Sequence, residues 1–142
     1  MGDREERGEV GNEPNATDVV AVSVATITRL VRVWQKRLHL TEWRISVKVG
    51  EFEEEGRFGK LSAACVAEPE YLEARVYVDP EHAARVGEDL NRLMCHELAH
   101  CLTAELVSIA DQWAGDDPGR KEFVKQAHER LVSRWERVMC DE

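Results

Sequence analysis

Apolar residues at helical spacing predict a first helix from residue 19 to about residue 38. Thr17 or Asp18 could cap the start of this helix, since both side chains accept hydrogen bonds from backbone N–H groups. Residues 1–16 are rich in polar side chains and have too few apolar ones to pack against a core. They are therefore predicted to be a disordered tail ahead of a folded region that begins at residue 17.

Three extended segments follow the first helix. Residues 43–49 read WRISVKV, and their strict alternation of apolar and polar side chains predicts a half-buried strand. Residues 59–67 are predicted as a second strand, after an acidic loop, and residues 74–78 as a third. The dipeptide Asp79-Pro80 ends the third strand and starts a turn.

The remainder of the chain has helical periodicity. One helical region runs from about residue 81 to about residue 113, with a bend expected near Gly87, and the loop at 115–119 separates it from a last helix over 120–139. The last helix is expected to bury one apolar stripe, formed by Val124, Ala127, Leu131, Trp135 and Val138. The order helix, three strands, helix, helix predicts an α+β fold with one domain over residues 17–142.

Composition and charge narrow the possible partners. The 142 residues suffice for one hydrophobic core, and the net charge of −9 disfavours nucleic acid, whose phosphates require clustered Lys and Arg. No apolar run reaches the ~18 residues that a membrane span needs, and the N-terminus lacks the apolar core of a secretory signal. We therefore expect a cytoplasmic protein without a membrane partner.

The four cysteines show no pattern of a disulfide framework or of a zinc ribbon. They stand at Cys65, Cys95, Cys101 and Cys140 and form no C-x-x-C pair. Cys95 and Cys101 fall within the predicted helix, where a free cysteine behaves as a small apolar residue.

The chemistry of the sequence is concentrated in His96-Glu97-Leu98-Ala99-His100, an HExxH motif. Histidines four residues apart lie about 40° apart around a helix and one turn apart along it, so both imidazoles can reach one metal ion. Glu97 is offset by about 100° from His96, which places its carboxylate beside the ion rather than on it. That is the position of a general base for an attacking water molecule.

The surrounding helix favours a metal site over a pair of solvated histidines, which is the alternative. Residues 88–114 contain neither Pro nor Gly, as a long helix requires. The apolar arc of this helix is predicted from Leu90, Met94, Leu98, Cys101, Leu102 and Ile109. His96 and His100 point away from the centre of that arc, on the side of Asp89, Arg92 and Thr103. Such histidines face a polar environment, as a cleft would provide.

The arrangement resembles the compact HExxH metallopeptidases of phage and bacterial genomes, small relatives of the gluzincin and SprT-like zincins. The resemblance rests on W-R-I-S-V-K-V, A-R-V-Y-V-D-P and L-M-C-H-E-L-A-H-C-L followed by an amphipathic helix, and it covers residues 19–139. It implies a zincin-like fold with the active-site helix beneath a three-stranded sheet, and one zinc ion per chain. Thr103 and Leu106 stand where the metzincin pattern HExxHxxGxxH requires Gly and His, which excludes a metzincin.

A catalytic zinc ion normally has three protein ligands, and the motif supplies only two. Helical periodicity favours His128, which lies about 40° from the centre of the predicted apolar stripe. The family resemblance favours Glu129, because similar proteins have a glutamate followed by apolar residues two, three and six positions later. Glu122 is a third candidate, whereas His39 and His82 have no spacing partners and are expected at the surface.

These residues together predict a zinc-dependent hydrolase that cleaves peptide bonds, with Glu97 as general base. The third strand is expected to pair with an extended peptide substrate, and Tyr71, Tyr77 or His82 could stabilise the oxyanion. Two alternatives remain: a zinc-stabilised binding module without turnover, and an interaction protein that docks an acidic partner on a basic helix face. That face would comprise Arg29, Arg32, Lys36 and Arg37.

Overall fold

The computed structural model describes residues 16–52 and 61–141, and the side chains of the first helix from residue 24 onward. Within these residues the fold is α+β, as the sequence predicted, and it has four helices and a small three-stranded mixed sheet. The elements are α1 (Ala16–Arg37), β1 (Arg44–Val49), β2 (Ala63–Glu68), β3 (Glu73–Val78), α2 (Pro80–Val86), α3 (Leu90–Ala114) and α4 (Pro118–Cys140). Residues 1–15 of the predicted tail (1–16) and most of the acidic loop lie outside the described residues, whereas Ala16 belongs to α1.

The sheet has the order β1-β3-β2, with β1 parallel and β2 antiparallel to β3. Ala74, Val76 and Val78 of β3 are all buried, as expected for a strand that is covered on one face and paired on both edges. Because β3 is paired on both sides, the prediction that it binds a peptide is wrong. Among the residues that the structure describes, β2 pairs only with β3, and it also contacts α3.

Helix α1 supplies the centre of the core. Ile27, Val31 and Trp34 are completely buried, and each such side chain contributes roughly 1.5–3 kcal/mol by leaving water. The indole Nε1 of Trp34 donates a hydrogen bond to Oδ1 of Asn91 at 2.8 Å, which fixes α1 against the start of α3. The helix already includes Ala16, so Thr17 and Asp18 both lie inside it rather than at its N-cap.

The predicted bend near Gly87 is a complete break between α2 and α3. Gly87 ends α2 with φ +75°, a left-handed conformation that glycine adopts without a steric penalty. The Asp89 carboxylate then accepts hydrogen bonds from the backbone N–H groups of Asn91 and Arg92 and caps α3. These two devices position the first turn of the helix that carries the HExxH motif.

The predicted apolar faces of α3 and α4 are wrong in part. Leu131, Trp135 and Val138 of α4 are exposed, whereas Val124 and Val132 are buried. The reason is that α4 turns its polar positions towards the histidines of α3, so its apolar stripe is displaced from the interface.

In helix α3, too, some residues predicted to be buried are exposed, and one predicted on the polar side is buried. Ile109 is 64% exposed and Leu102 is 38% exposed, although both were assigned to the buried arc. Thr103, assigned to the polar side, is only 4% exposed because its hydroxyl has polar neighbours inside the α3–α4 interface. Cys95 and Cys101 are buried, as predicted. No helix within the described part of the chain is both long and apolar enough to cross a membrane.

Candidate metal centre

The two histidines of the motif converge as helical spacing predicts. His96 and His100 project from the same side of α3, and their ring centroids are 5.3 Å apart. Both side chains are largely but not completely buried, so they line a groove rather than the closed core. Because the groove is open to solvent, a ligand can reach both imidazoles.

Glu129 of α4 completes a cluster with these two rings. Its Oε2 lies 3.5 Å from Nε2 of His96, and its Oε1 lies 3.5 Å from Nε2 of His100. Tetrahedral zinc ligands at about 2.0–2.1 Å from the ion are separated from one another by about 3.3–3.5 Å. The three side chains, whose ligand atoms lie within 4.8 Å of one another, could therefore hold a metal ion.

His96 is oriented by a chain of charged groups on its other side. Its Nδ1 donates to Oε2 of Glu136 at 3.0 Å, and Oε1 of Glu136 accepts from Nε of Arg92 at 2.9 Å. Arg92 also donates from Nη1 to Asp141 at 2.5 Å. A hydrogen bond from Nδ1 to a carboxylate fixes the ring and leaves Nε2 as the atom that faces Glu129.

On its Nδ1 side, His100 has neutral neighbours instead of a carboxylate. Nε2 of His128 lies 3.2 Å from Nδ1 of His100 and 2.7 Å from the hydroxyl of Thr103. His128 thus faces the Nδ1 side of His100, and the cluster with ligand spacing contains Glu129 instead. The helical wheel correctly placed His128 at a half-buried position. Half-burial did not identify the ligand, because the cluster contains Glu129 rather than His128.

These surroundings shift the proton affinities of the cluster in opposite directions. The hydrogen bond with Glu129 raises the pKa of His96 to about 9, against the opposing effect of burial. Burial lowers the pKa of His100 to about 4. The same hydrogen bond to His96 lowers the pKa of Glu129 to about 2, so its carboxylate is ionised at neutral pH and available to a cation.

Glu97 lies in the wall of a groove of about 620 Å³ together with the cluster. The groove is bounded by the start of β2, the start of α3 and one side of α4. Glu97 is only 6% exposed, and it lines the same groove as His96, its neighbour in the chain. A second cavity of about 520 Å³ begins on the other side of His100.

Other predicted site residues lie elsewhere. Glu122 is exposed and accepts a hydrogen bond from Gln126 at 3.0 Å, and His39 is exposed. Tyr71, Tyr77 and His82 are not among the described residues that line either cavity, so their proposed role at the oxyanion has no support.

Sequence reasoning missed Glu136 and the pairing of His128 with His100. A signal for Glu136 was present, because it follows Glu129 by seven residues and therefore lies on nearly the same helix face. The signal for His128 was its half-buried position in α4, which the helical wheel identified but interpreted as a ligand position.

No protein-family model, curated protein or solved structure matches this chain significantly. The resemblance to compact HExxH metallopeptidases thus rests on the sequence patterns alone. The functional inference below relies on the residues of the site and on their geometry.

Proposed function

We propose that this protein is a zinc-dependent hydrolase of the metallopeptidase type with a minimal zincin-like fold. The observation that carries the proposal is the convergence of His96, His100 and Glu129 at ligand spacing, with Glu97 beside them in an open groove. Two imidazoles and one carboxylate form a ligand set known for catalytic zinc, which keeps a position open for water or substrate.

Zinc bound by these residues would supply a Lewis acid that lowers the pKa of a coordinated water towards ~7. The protein supplies the proton transfers. Glu97 accepts a proton from the attacking water and returns it to the leaving amine, and its low exposure strengthens its electrostatic interactions with the reacting groups. Glu136 holds the His96 ring so that Nε2 keeps its direction.

The peptide substrate would pair with β2. This strand forms one wall of the groove and, within the described residues, pairs only with β3. Its outer edge therefore presents backbone donors and acceptors beside the candidate metal position, and strand addition at such an edge is a common mode of peptide binding.

The alternative of a basic docking face on α1 is weaker. Arg32 donates to the side chain of Gln35 and to the carbonyl of Ile45, and Arg37 stacks on the Trp34 ring. These two side chains are engaged within the molecule, which reduces what that face can offer to an acidic partner.

The test compares Glu97→Gln with the wild type. The amide is nearly isosteric but cannot accept the proton, so peptide hydrolysis should fall by ~10²–10⁴-fold while zinc content stays at about one ion per chain. Elemental analysis measures the zinc, and cleavage of a mixed peptide library, read by mass spectrometry, measures the activity. Glu105→Gln is the matched control, because Glu105 is exposed on the same helix outside the groove.

Two results would contradict the proposal. The first is equal zinc in the wild type and in a His96→Ala/His100→Ala double variant. The second is unchanged turnover in zinc-loaded Glu97→Gln. A zinc-loaded wild type that cleaves nothing would instead support the zinc-stabilised binding module.

A further inference from the structure

The candidate metal centre borders two cavities, which share two lining residues. The groove that contains Glu97 and the second cavity both have Cys65 and His100 in their walls. Strand β2 runs past both, with Ala63 in the wall of the first and Ala67 in the wall of the second. At about 3.3 Å per residue, this six-residue strand offers about 20 Å of contact to an extended ligand.

One buried polar group beside this path has no partner. The hydroxyl of Ser62, at the start of β2, makes no hydrogen bond although the residue is only 5% exposed and lines the first cavity. Buried polar groups are nearly always paired. This hydroxyl lies next to the strand edge that has no partner among the described residues, and the two together indicate a wall that can receive a polar ligand.

The charge of the walls is strongly one-sided. The carboxylates that line the first cavity are those of Glu88, Asp89, Glu97, Glu129 and Glu136. Arg92 is the one Lys or Arg among its described lining residues, and it is paired with Glu136 and with Asp141. The second cavity adds Glu70 and Asp111, and no Lys or Arg is among its described lining residues.

A divalent ion at the centre would not reverse this charge. It would offset Glu129, its ligand, and Glu97, its neighbour, but the carboxylates farther along the groove would remain. Glu88 lies towards one end of the path and Glu70 towards the other. An extended chain that crosses the centre therefore meets negative charge on both sides.

We infer that the groove selects extended polypeptide segments rich in Lys and Arg. This specificity rests on the proposed function, since it names the substrate class of the same site. The backbone of the segment adds to the edge of β2, and its cationic side chains pair with the carboxylates on either side of the metal centre. Acidic segments are excluded by repulsion from the same walls.

Binding without turnover is the direct measurement. Rhodamine-labelled peptides of equal length, one rich in Lys, one neutral and one rich in Glu, are titrated with zinc-loaded full-length Glu97→Gln protein and followed by fluorescence anisotropy. The Lys-rich peptide should bind at least about tenfold more tightly than the Glu-rich one at low salt, and the ratio should shrink towards one at about 1 M salt, where screening extends over only ~3 Å.

Charge reversals locate the effect within the groove. Glu88→Lys and Glu70→Lys, one on each side of the centre, should each weaken Lys-rich peptide binding by about fivefold. Glu105→Lys is the control for the protein's overall charge of −9, since Glu105 is exposed outside both cavities, and it should change binding less than twofold, or roughly 0.4 kcal/mol. Circular dichroism of each variant checks that the helices are intact.

The outcomes separate this inference from the proposed function. Charge-ranked binding that depends on Glu88 and Glu70, together with no cleavage by the wild type, supports the inference and contradicts the proposed hydrolysis. Cleavage by the wild type without preference for basic peptides overturns the inference and leaves the hydrolase intact. Equal affinity for the three peptides, or an equal effect of Glu105→Lys, overturns it as well.

Discussion

The two histidines of the motif occupy the same face of one helix, one turn apart, yet their surroundings differ. His96 lies between two carboxylates, Glu129 on its Nε2 side and Glu136 on its Nδ1 side. His100 shares Glu129 but has the neutral His128 on its Nδ1 side. The hydrogen bond with Glu129 raises the pKa of His96 to about 9, whereas burial lowers the pKa of His100 to about 4.

The different neighbours of the two rings on their Nδ1 sides come from α4 rather than from the motif. Four-residue spacing places both rings towards one ion, but α4 decides what each ring meets on its far side. At one end it presents Glu136, which is itself held by Arg92, and at the other it presents His128 beside Thr103. A carboxylate partner increases the basicity of an imidazole ligand, so His96 should hold the metal more strongly than His100.

The largest expected effect comes from the residue that both rings share. Glu129→Ala removes the carboxylate from the cluster and leaves two imidazoles, so zinc affinity should fall by more than the ~10–100-fold typical of residues that act through a ligand. His128→Ala should fall within or below that range, because His128 contacts the Nδ1 side of His100. Competition with a chromophoric chelator measures both affinities.

Helicity must be checked in each variant so that unfolding is not mistaken for ligand loss. A larger effect of His128→Ala than of Glu129→Ala would move the third ligand to His128. Equal and negligible effects of the two substitutions would mean that the third ligand is neither Glu129 nor His128.

A smaller loss of zinc affinity should follow from removing the carboxylate that only His96 has on its Nδ1 side. Glu136→Gln keeps the size of the side chain but removes the negative charge opposite His96, and zinc affinity should fall by about 10-fold. The matched control is Glu122→Gln, at an exposed position of the same helix, which should leave affinity unchanged. If the two variants behaved alike, the carboxylate behind His96 would not contribute to metal binding.

Periodicity predicted most of the fold. The alternation in WRISVKV became β1, the Gly87 break separated α2 from α3, and the Asp79-Pro80 dipeptide ended β3. Strand order was beyond the reach of periodicity, because β3 follows β2 in the chain yet lies between β1 and β2 in the sheet. Which strand keeps a free edge depends on that order, so the peptide-binding strand was assigned wrongly.

The candidate site shows a different limit. The HExxH spacing alone predicted the convergence of two imidazoles, which is a property of one helix. The neighbours supplied by α4 depend on how that helix is rotated about its axis, and the apolar stripe at Leu131, Trp135 and Val138 indicated the wrong rotation. The polar pairs at the interface decide the rotation, because leaving His128 or Glu136 buried without partners would cost more than exposing part of an apolar stripe.

The smallest effect is expected on the side of His100. Thr103 is almost fully buried, and its hydroxyl lies 2.7 Å from Nε2 of His128, so Thr103→Val keeps the shape of the side chain but removes this polar contact. The free energy of unfolding of the metal-free protein should fall by about 1 kcal/mol, the net value of one hydrogen bond. Thr103→Ser retains the hydroxyl and should lose less, which urea denaturation can resolve. Zinc affinity should fall less than in Glu136→Gln, since Thr103 contacts the backbone carbonyl of His100 and reaches its ring only through the neutral His128. A larger fall would mean that the neutral side of the site holds the metal more firmly than the carboxylate side.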